Sequence, residues 1–386
     1  MSELVKKSVD LSEYPYINKG LEGIVAFSTM KSSIDGQKGE LIYAGYNIND
    51  LAENATFEEV CFLLWNERLP NSNELKELNH DLSSQRELPR AVLDYIESIP
   101  NEAEPMAVLR TAVSMLSNYD SLKDDNSLEA NKQKAIRLAA KLPTIVAAFD
   151  RHRQGLDMVS PLPDESTAYN FLYMLNGERP GEHAEKVMDL CLILHAEHGM
   201  NTSTFTSRVI CSTLSDMYSA ITGAIGSLKG PLHGGANTAV MTMLLEIDEN
   251  TNIEDFIKGK LARKEKIMGF GHRVYRTFDP RAKLLRGMAK DLAREVDKMY
   301  LYEWSEAILK MMKAEKNIDP NVDFFSATVY YSMGIKPDLY TCIFAMSRVS
   351  GWTAHFLEQL QNNRLIRPRA LYVGEKNLPW TPVEDR

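Results

Sequence analysis

The run from Thr206 to Leu228 constrains this chain most. It reads Thr-Ser-Arg-Val-Ile-Cys-Ser-Thr-Leu-Ser-Asp-Met-Tyr-Ser-Ala-Ile-Thr-Gly-Ala-Ile-Gly-Ser-Leu, apolar or small on nearly every helical face, with few charges. A helix of that composition is buried all round. Its small residues let another helix, from this chain or from a second subunit, come close. The surrounding text is helical too. Thr56-Phe-Glu-Glu59 is a capping-box pattern ahead of Val60–Trp65, a helix that Pro70 ends. Pro89 and Pro105 stand where first turns begin. The periodicity predicts further helices over 127–153 (with Pro143 as a kink or break), 166–176, 182–198, 236–247, 253–266, 281–315 and 339–361.

Strand signals are confined to residues 22–46. There Ile24–Phe27 and Leu41–Ala44 flank a hairpin signal at Asp35-Gly36. No repeat of 20–50 residues and no low-complexity segment is present, which argues against a solenoid. At 386 residues the chain is too long for one small core, so two domains, or one large domain with a lobe, are expected. The net charge of -9 argues against a general nucleic-acid surface. It also means that a site for an anionic substrate must gather its arginines locally. Cys61, Cys191, Cys211 and Cys342 sit in apolar runs without paired spacing, so they read as buried free thiols in a reducing compartment. No signal core or uninterrupted membrane-length apolar run is seen, and a cytoplasmic protein is expected.

The stretch Ile267–Arg281 is the first candidate for chemistry. Gly269 and Gly271 permit close backbone approach, His272 follows them, and Arg273, Arg276 and Arg281 supply positive charge. Asp279-Pro280 reads as a turn or a helix start. A solvated basic loop is the competing reading. Of the eight histidines, His80, His152 and His183 lie in polar helical text and His355 on an amphipathic helix, as packing or a structural hydrogen bond. His233 sits in the glycine-rich turn Lys229–Asn237, where a ring can be held by backbone and still face a cleft. His195-Ala-Glu-His198 raises a zinc possibility, but no P-C-x-x-C, HExxH or other ligand pair accompanies it, so no metal is expected. One of these two histidines reads as core and the other as outward. Asp323 lies among Val322, Phe324 and Phe325. It reads equally as a helix N-cap or as a general base whose pKa desolvation raises. Arg348 and the segment Leu365–Arg369 add guanidinium groups suited to two-point grip on a dicarboxylate.

Taken together, His195–His198 with Asn201, Gly230-Pro-Leu-His-Gly-Gly-Ala-Asn237, Met268-Gly-Phe-Gly-His-Arg-Val-Tyr275 with Asp279-Pro-Arg281, Asn321–Ser326, and Ser347-Arg348 with Arg364–Arg369 closely resemble the citrate synthases, including the 2-methylcitrate synthases. The resemblance spans nearly the whole chain. It implies an all-α fold, nearly all helical with a small N-terminal β-hairpin. A large domain of residues 1–234 and 339–386 and a small domain of residues 235–338 would close over substrate. It implies a homodimer, condensation of acetyl-CoA with oxaloacetate, and hydrolysis of citryl-CoA. Asp323 would be the base, His233 the donor to the thioester oxygen, and His272 the group that polarises and protonates the oxaloacetate carbonyl. His198, Arg281 and Arg348 would hold oxaloacetate, with Arg367 reaching in from the partner subunit. Ile267, Gly269, Gly271, Arg276, Lys316 and Asn321 would hold CoA. No cofactor is implied beyond the CoA thioester as substrate. The short N-terminus resembles dimeric members without an added regulatory domain, which implies no inhibition by NADH. The alternatives are a 2-methylcitrate synthase acting on propionyl-CoA and a non-catalytic scaffold of the same fold.

Overall fold

The computed structural model describes Tyr14, residues 17–272 and residues 274–386, so Arg273 lies outside the described residues. Among the described residues the one sheet lies near their N-terminal end. Strands β1 (Ser32–Asp35), β2 (Glu40–Tyr43) and β3 (Tyr46–Asn47) run antiparallel in that order, with Ser32 opposite Tyr43 and Asp35 opposite Glu40. Asp35 builds the turn by accepting the Gln37 and Lys38 amides on Oδ1, both at 3.0 Å. The expected strand at Ile24–Phe27 is absent. It has no partner strand, Ile24 and Val25 are exposed, and β1 instead takes the residues immediately before the turn.

Sixteen α-helices follow among the described residues: α1 (Ile48–Asn54), α2 (Phe57–Asn66), α3 (Ser72–Ser84), α4 (Arg90–Ser98), α5 (Pro105–Leu116), α6 (Leu128–Arg153), α7 (Thr167–Asn176), α8 (Glu182–His195), α9 (Thr202–Ser212), α10 (Met217–Leu228), α11 (Ala236–Leu244), α12 (Ile253–Ala262), α13 (Pro280–Glu295), α14 (Met299–Lys316), α15 (Val322–Ser332) and α16 (Tyr340–Gln361). The capping box of Thr56 and Glu59 opens α2, and Pro105 occupies the first position of α5. Helix α6 continues through Pro143 without a break.

Two expected single helices are each divided. The run 206–228 breaks between α9 and α10, where Leu214 takes a left-handed φ of 65°. Asp216 then caps α10 by accepting the Ser219 amide at 2.9 Å. The run 281–315 breaks at Asp297 (φ 54°), where the Lys298 amide closes back on the Ala293 carbonyl at 2.7 Å. The helix buried all round is therefore α16, every residue of which from Tyr340 to Leu357 is buried. It packs on α2, α6, α8, α9 and α10. Helices α9 and α10 keep half-buried faces at Val209, Ile210, Thr222, Gly223 and Gly226. A second group forms from α11 to α15, with α15 packed on α11, α13 and α14, and α12 on α14. All four cysteines are buried and free. Among the described residues no helix is long and apolar enough to cross a membrane.

Candidate active site

Between the two helix groups lies a cleft of 870 Å³. His198, His233, His272, Arg281, Asp323 and Arg348 all line it, although they come from five separate stretches of chain. Each is held by its neighbours.

His198 follows the end of α8 in a turn braced by the sheet. Tyr43 donates its hydroxyl to the Glu197 carbonyl at 2.7 Å and accepts the Glu197 amide at 3.2 Å. Ser32 donates to Glu197 Oε1 at 2.9 Å and accepts the Gly199 amide at 3.1 Å. Of the two nearby histidines, His195 is the core residue: its Nδ1–H donates to the Cys191 carbonyl at 2.8 Å and its ring meets Phe344 edge-on. His198 faces the cleft, with its ring centroid 5.1 Å from that of His272.

His233 and His272 are pinned in opposite senses. A backbone amide has a fixed direction, so a ring nitrogen that accepts from one carries no proton. His272 Nδ1 accepts the amides of Val274 (3.0 Å) and Tyr275 (3.1 Å). The proton of His272 is therefore on Nε2. His233 Nε2 accepts the Ser203 amide at 3.3 Å, with the Ser203 hydroxyl at 2.8 Å. Its proton is therefore on Nδ1. Burial pushes both rings down to about 4, with Arg348 adding to the effect at His233 and Arg281 at His272. Both are neutral donors near pH 7.

Asp323 lies in the first turn of α15. The N-cap is Asn321, whose Oδ1 accepts the Asp323 amide at 3.1 Å, so the capping reading of Asp323 does not hold. Its Oδ1 is buried with no hydrogen-bond partner among the described residues. Burial pushes this carboxyl up to about 7, against the pull of Arg281 and Arg348.

The two arginines are buried. Arg281 forms a fork on Asp279, Nε to Oδ1 at 3.1 Å and Nη2 to Oδ2 at 2.8 Å, while Asp279 caps α13. Arg348, from the middle of α16, donates Nε to the His195 carbonyl at 2.7 Å and stacks over Phe344. Its terminal nitrogens have no protein acceptor among the described residues, and burial lowers its pKa to about 10.

The far wall is a clamped loop. Asn321 donates its amide to the Gly269 carbonyl at 2.9 Å and its side-chain nitrogen to the Gly271 carbonyl at 3.0 Å. Gly269 has a φ of 79°, and a Cβ there would lie 2.7 Å from Val240 and 2.8 Å from Phe324. Ile267, Gly269, Gly271, Lys316 and Asn321 line the cleft. Arg276 is exposed and is not a lining residue, although its amide donates to the Gly36 carbonyl at 2.9 Å. Arg367 lies on the exposed segment after α16, also away from this chain's cleft. The supporting roles of Ser203, Asp279 and Tyr275 were not singled out from sequence. Only the Asp279-Pro-Arg281 spacing carried a local signal, that of a cap reaching a residue two positions on.

A family model described as "Citrate synthase, C-terminal domain" matches residues 20–369. The chain belongs to the citrate synthase family. It is 53% identical to "Citrate synthase 2" of Bacillus subtilis, over 95% of this chain and 99% of that one. It is 49% identical to the citrate synthase of Haloferax volcanii, over 96% and 99%. A relative named 2-methylcitrate synthase, from Shewanella oneidensis, is 44% identical over 95% and 97%. Among solved structures, citrate synthase from Thermoplasma acidophilum, in ternary complex with carboxymethyl coenzyme A and oxaloacetate, superposes with a TM-score of 0.90 at 36% identity, covering 96% of this chain and 99% of that one. The all-α expectation agrees with this citrate synthase fold, and the chain is an enzyme of that family.

Proposed function

We propose that this enzyme condenses acetyl-CoA with oxaloacetate and hydrolyses the resulting citryl-CoA to citrate and CoA. Asp323 removes a proton from the acetyl methyl group. His233 donates its Nδ1–H to the thioester oxygen as the enolate forms. The enolate carbon then bonds to the oxaloacetate carbonyl carbon, whose oxygen receives a hydrogen bond and then the proton from His272 Nε2. His198, Arg281 and Arg348 hold the oxaloacetate carboxylates, with Arg367 supplied by a second copy of the chain. The Ile267–Gly271 backbone, Arg276, Lys316 and Asn321 hold CoA. Water finally cleaves the thioester.

The observation that carries this reading is the opposed pinning of two neutral imidazoles in one cleft with a carboxyl whose Oδ1 is buried and has no hydrogen-bond partner among the described residues. An ordinary carboxylate has a pKa of about 4, and each unit of mismatch with a carbon acid costs about 1.4 kcal/mol. One well-aimed donor supplies about 3–4 kcal/mol. His233 therefore offsets about three units, and a base raised to about 7 narrows the mismatch further. Orientation and exclusion of water must supply the rest, which favours closure of residues 235–338 over residues 1–234 and 339–386.

A homodimer in the cytoplasm fits this reading. Leu365, Tyr372 and Trp380 are exposed on the segment that carries Arg367, and sedimentation at micromolar concentration should give twice the monomer mass. Relatives named for 2-methylcitrate keep a second reading open, because one methylene is worth only about 1–3 kcal/mol. Oxaloacetate-dependent thiol release is the test. We expect a higher kcat/KM with acetyl-CoA than with propionyl-CoA. The reverse order would assign the enzyme to 2-methylcitrate, and release with neither would return it to a scaffold.

A further inference from the structure

Tyr275 touches both cleft histidines without lining the cleft itself. It is 4% exposed. Its amide donates to His272 Nδ1 at 3.1 Å, which fixes the His272 tautomer. Its hydroxyl lies 3.2 Å from His198 Nε2. The three rings form a closed triangle, with centroid separations of 4.7 Å (His272 to Tyr275), 5.5 Å (His198 to Tyr275) and 5.1 Å (His198 to His272). His198 follows α8 in the larger helix group, whereas Tyr275 stands in the loop leading to α13 in the smaller one. The hydroxyl contact therefore crosses between the groups. The loop is held from the other side as well. The Arg276 amide donates to the Gly36 carbonyl at 2.9 Å, and a Cβ on Gly36 would lie 2.2 Å from the Val274 carbonyl oxygen.

From this geometry we infer that Tyr275 is a positioning residue that sets His198 through its hydroxyl and His272 through its amide. Burial holds the phenol well above its ordinary pKa, so it stays a neutral O–H donor throughout the working range. Burial and the two nearby arginines hold His198 well below its own, so its ring has one lone pair to accept that hydrogen. The phenol then fixes the proton of His198 on Nδ1 and the plane of its ring. The two contacts separate by substitution: Tyr275→Phe removes the hydroxyl and keeps the amide.

The inference rests on His198 holding oxaloacetate. Tyr275→Phe should raise the KM for oxaloacetate about 3- to 10-fold, the range of one hydrogen bond, with kcat and the KM for acetyl-CoA within twofold of wild type. In a His198→Ala background the same substitution should add less than twofold, because the group it acts through is gone. A KM for oxaloacetate unchanged in the single variant would overturn the inference. So would an equal effect in the two backgrounds, or a parallel loss in both KM values and in Tm. Wild-type turnover is measured alongside. Its absence would overturn the functional reading itself, whereas normal wild-type turnover with an unshifted variant would overturn only the role of Tyr275.

Discussion

Two clusters of titratable side chains lie on either side of the turn at His198, and they are satisfied in opposite ways. Behind the turn, Arg208 donates to Glu358 Oε2 at 2.6 Å and to Gln359 at 2.9 Å, and His355 Nε2 meets Glu197 Oε1 at 3.1 Å. Each charge there has an opposite one in reach, although Glu197 Oε2 lacks a hydrogen bond among the described residues. Pairing outweighs burial, so Glu358 is held down at about 2, Glu197 below its ordinary value and His355 above it. In front of the turn, burial dominates. His233 and His272 fall to about 4, Arg348 to about 10, and Asp323 rises to about 7. The first cluster favours its charged states and fastens the N-terminal segment: Glu358 also accepts the Met30 amide at 2.7 Å and the Thr29 hydroxyl at 3.2 Å. The second keeps hydrogen-bonding capacity uncommitted toward a ligand. Polar burial therefore identifies a site only together with how completely its polar groups are paired.

Exchanging single groups should break the contrast in different currencies. Asp323→Asn should lower kcat on the order of 1,000-fold while leaving oxaloacetate affinity within a few-fold, measured by steady-state kinetics and calorimetry. Equal losses in both would misassign its role. The same variant should be more stable than wild type. Folding raises the carboxyl from 3.8 to about 7, so the folded wild type binds that proton more tightly than the unfolded chain. Wild-type stability is thus lost as pH rises through that window, and the Tm advantage of Asp323→Asn should grow from pH 4 to pH 7. Arg208→Ala should act in the opposite way. Removing one partner of a buried pair costs about 3–5 kcal/mol of stability, read by thermal or urea unfolding, while kcat of the folded enzyme changes little. A kcat loss matching that of Asp323→Asn would erase the distinction between the clusters. Gly36→Ala forces the hairpin turn away from Val274, and kcat/KM should fall on the order of 10-fold with little change in Tm.

What could be read from sequence follows from range. The capping box at Thr56, the glycine turns around His233 and His272, and the resemblance of the His and Arg blocks are all local text. Apart from Arg276 and Arg367, the residues they led to do meet in one cleft. The breaks at Leu214 and Asp297 were missed because non-glycine residues adopt the left-handed conformation there, held by a cap and a backbone closure. The strand expected at Ile24–Phe27 failed because a strand needs a partner as well as β-prone residues. The tautomers were beyond sequence, since His233 is pinned by Ser203, thirty positions away. The choice between cap and base at Asp323 turned on Asn321 taking the cap. Arg367 lies exposed after α16 and away from this chain's cleft, so its proposed role rests on a second copy of the chain.

The fold holds Asp323 as a carboxyl with a proton affinity matched to neutral pH. Infrared difference titration of the ligand-free enzyme against Asp323→Asn reads that group directly. A protonated-carboxyl band present at pH 5 in the difference spectrum and lost through about pH 7 is the predicted result. A carboxylate already ionised at pH 5, titrating near 4 as it would in water, would contradict it.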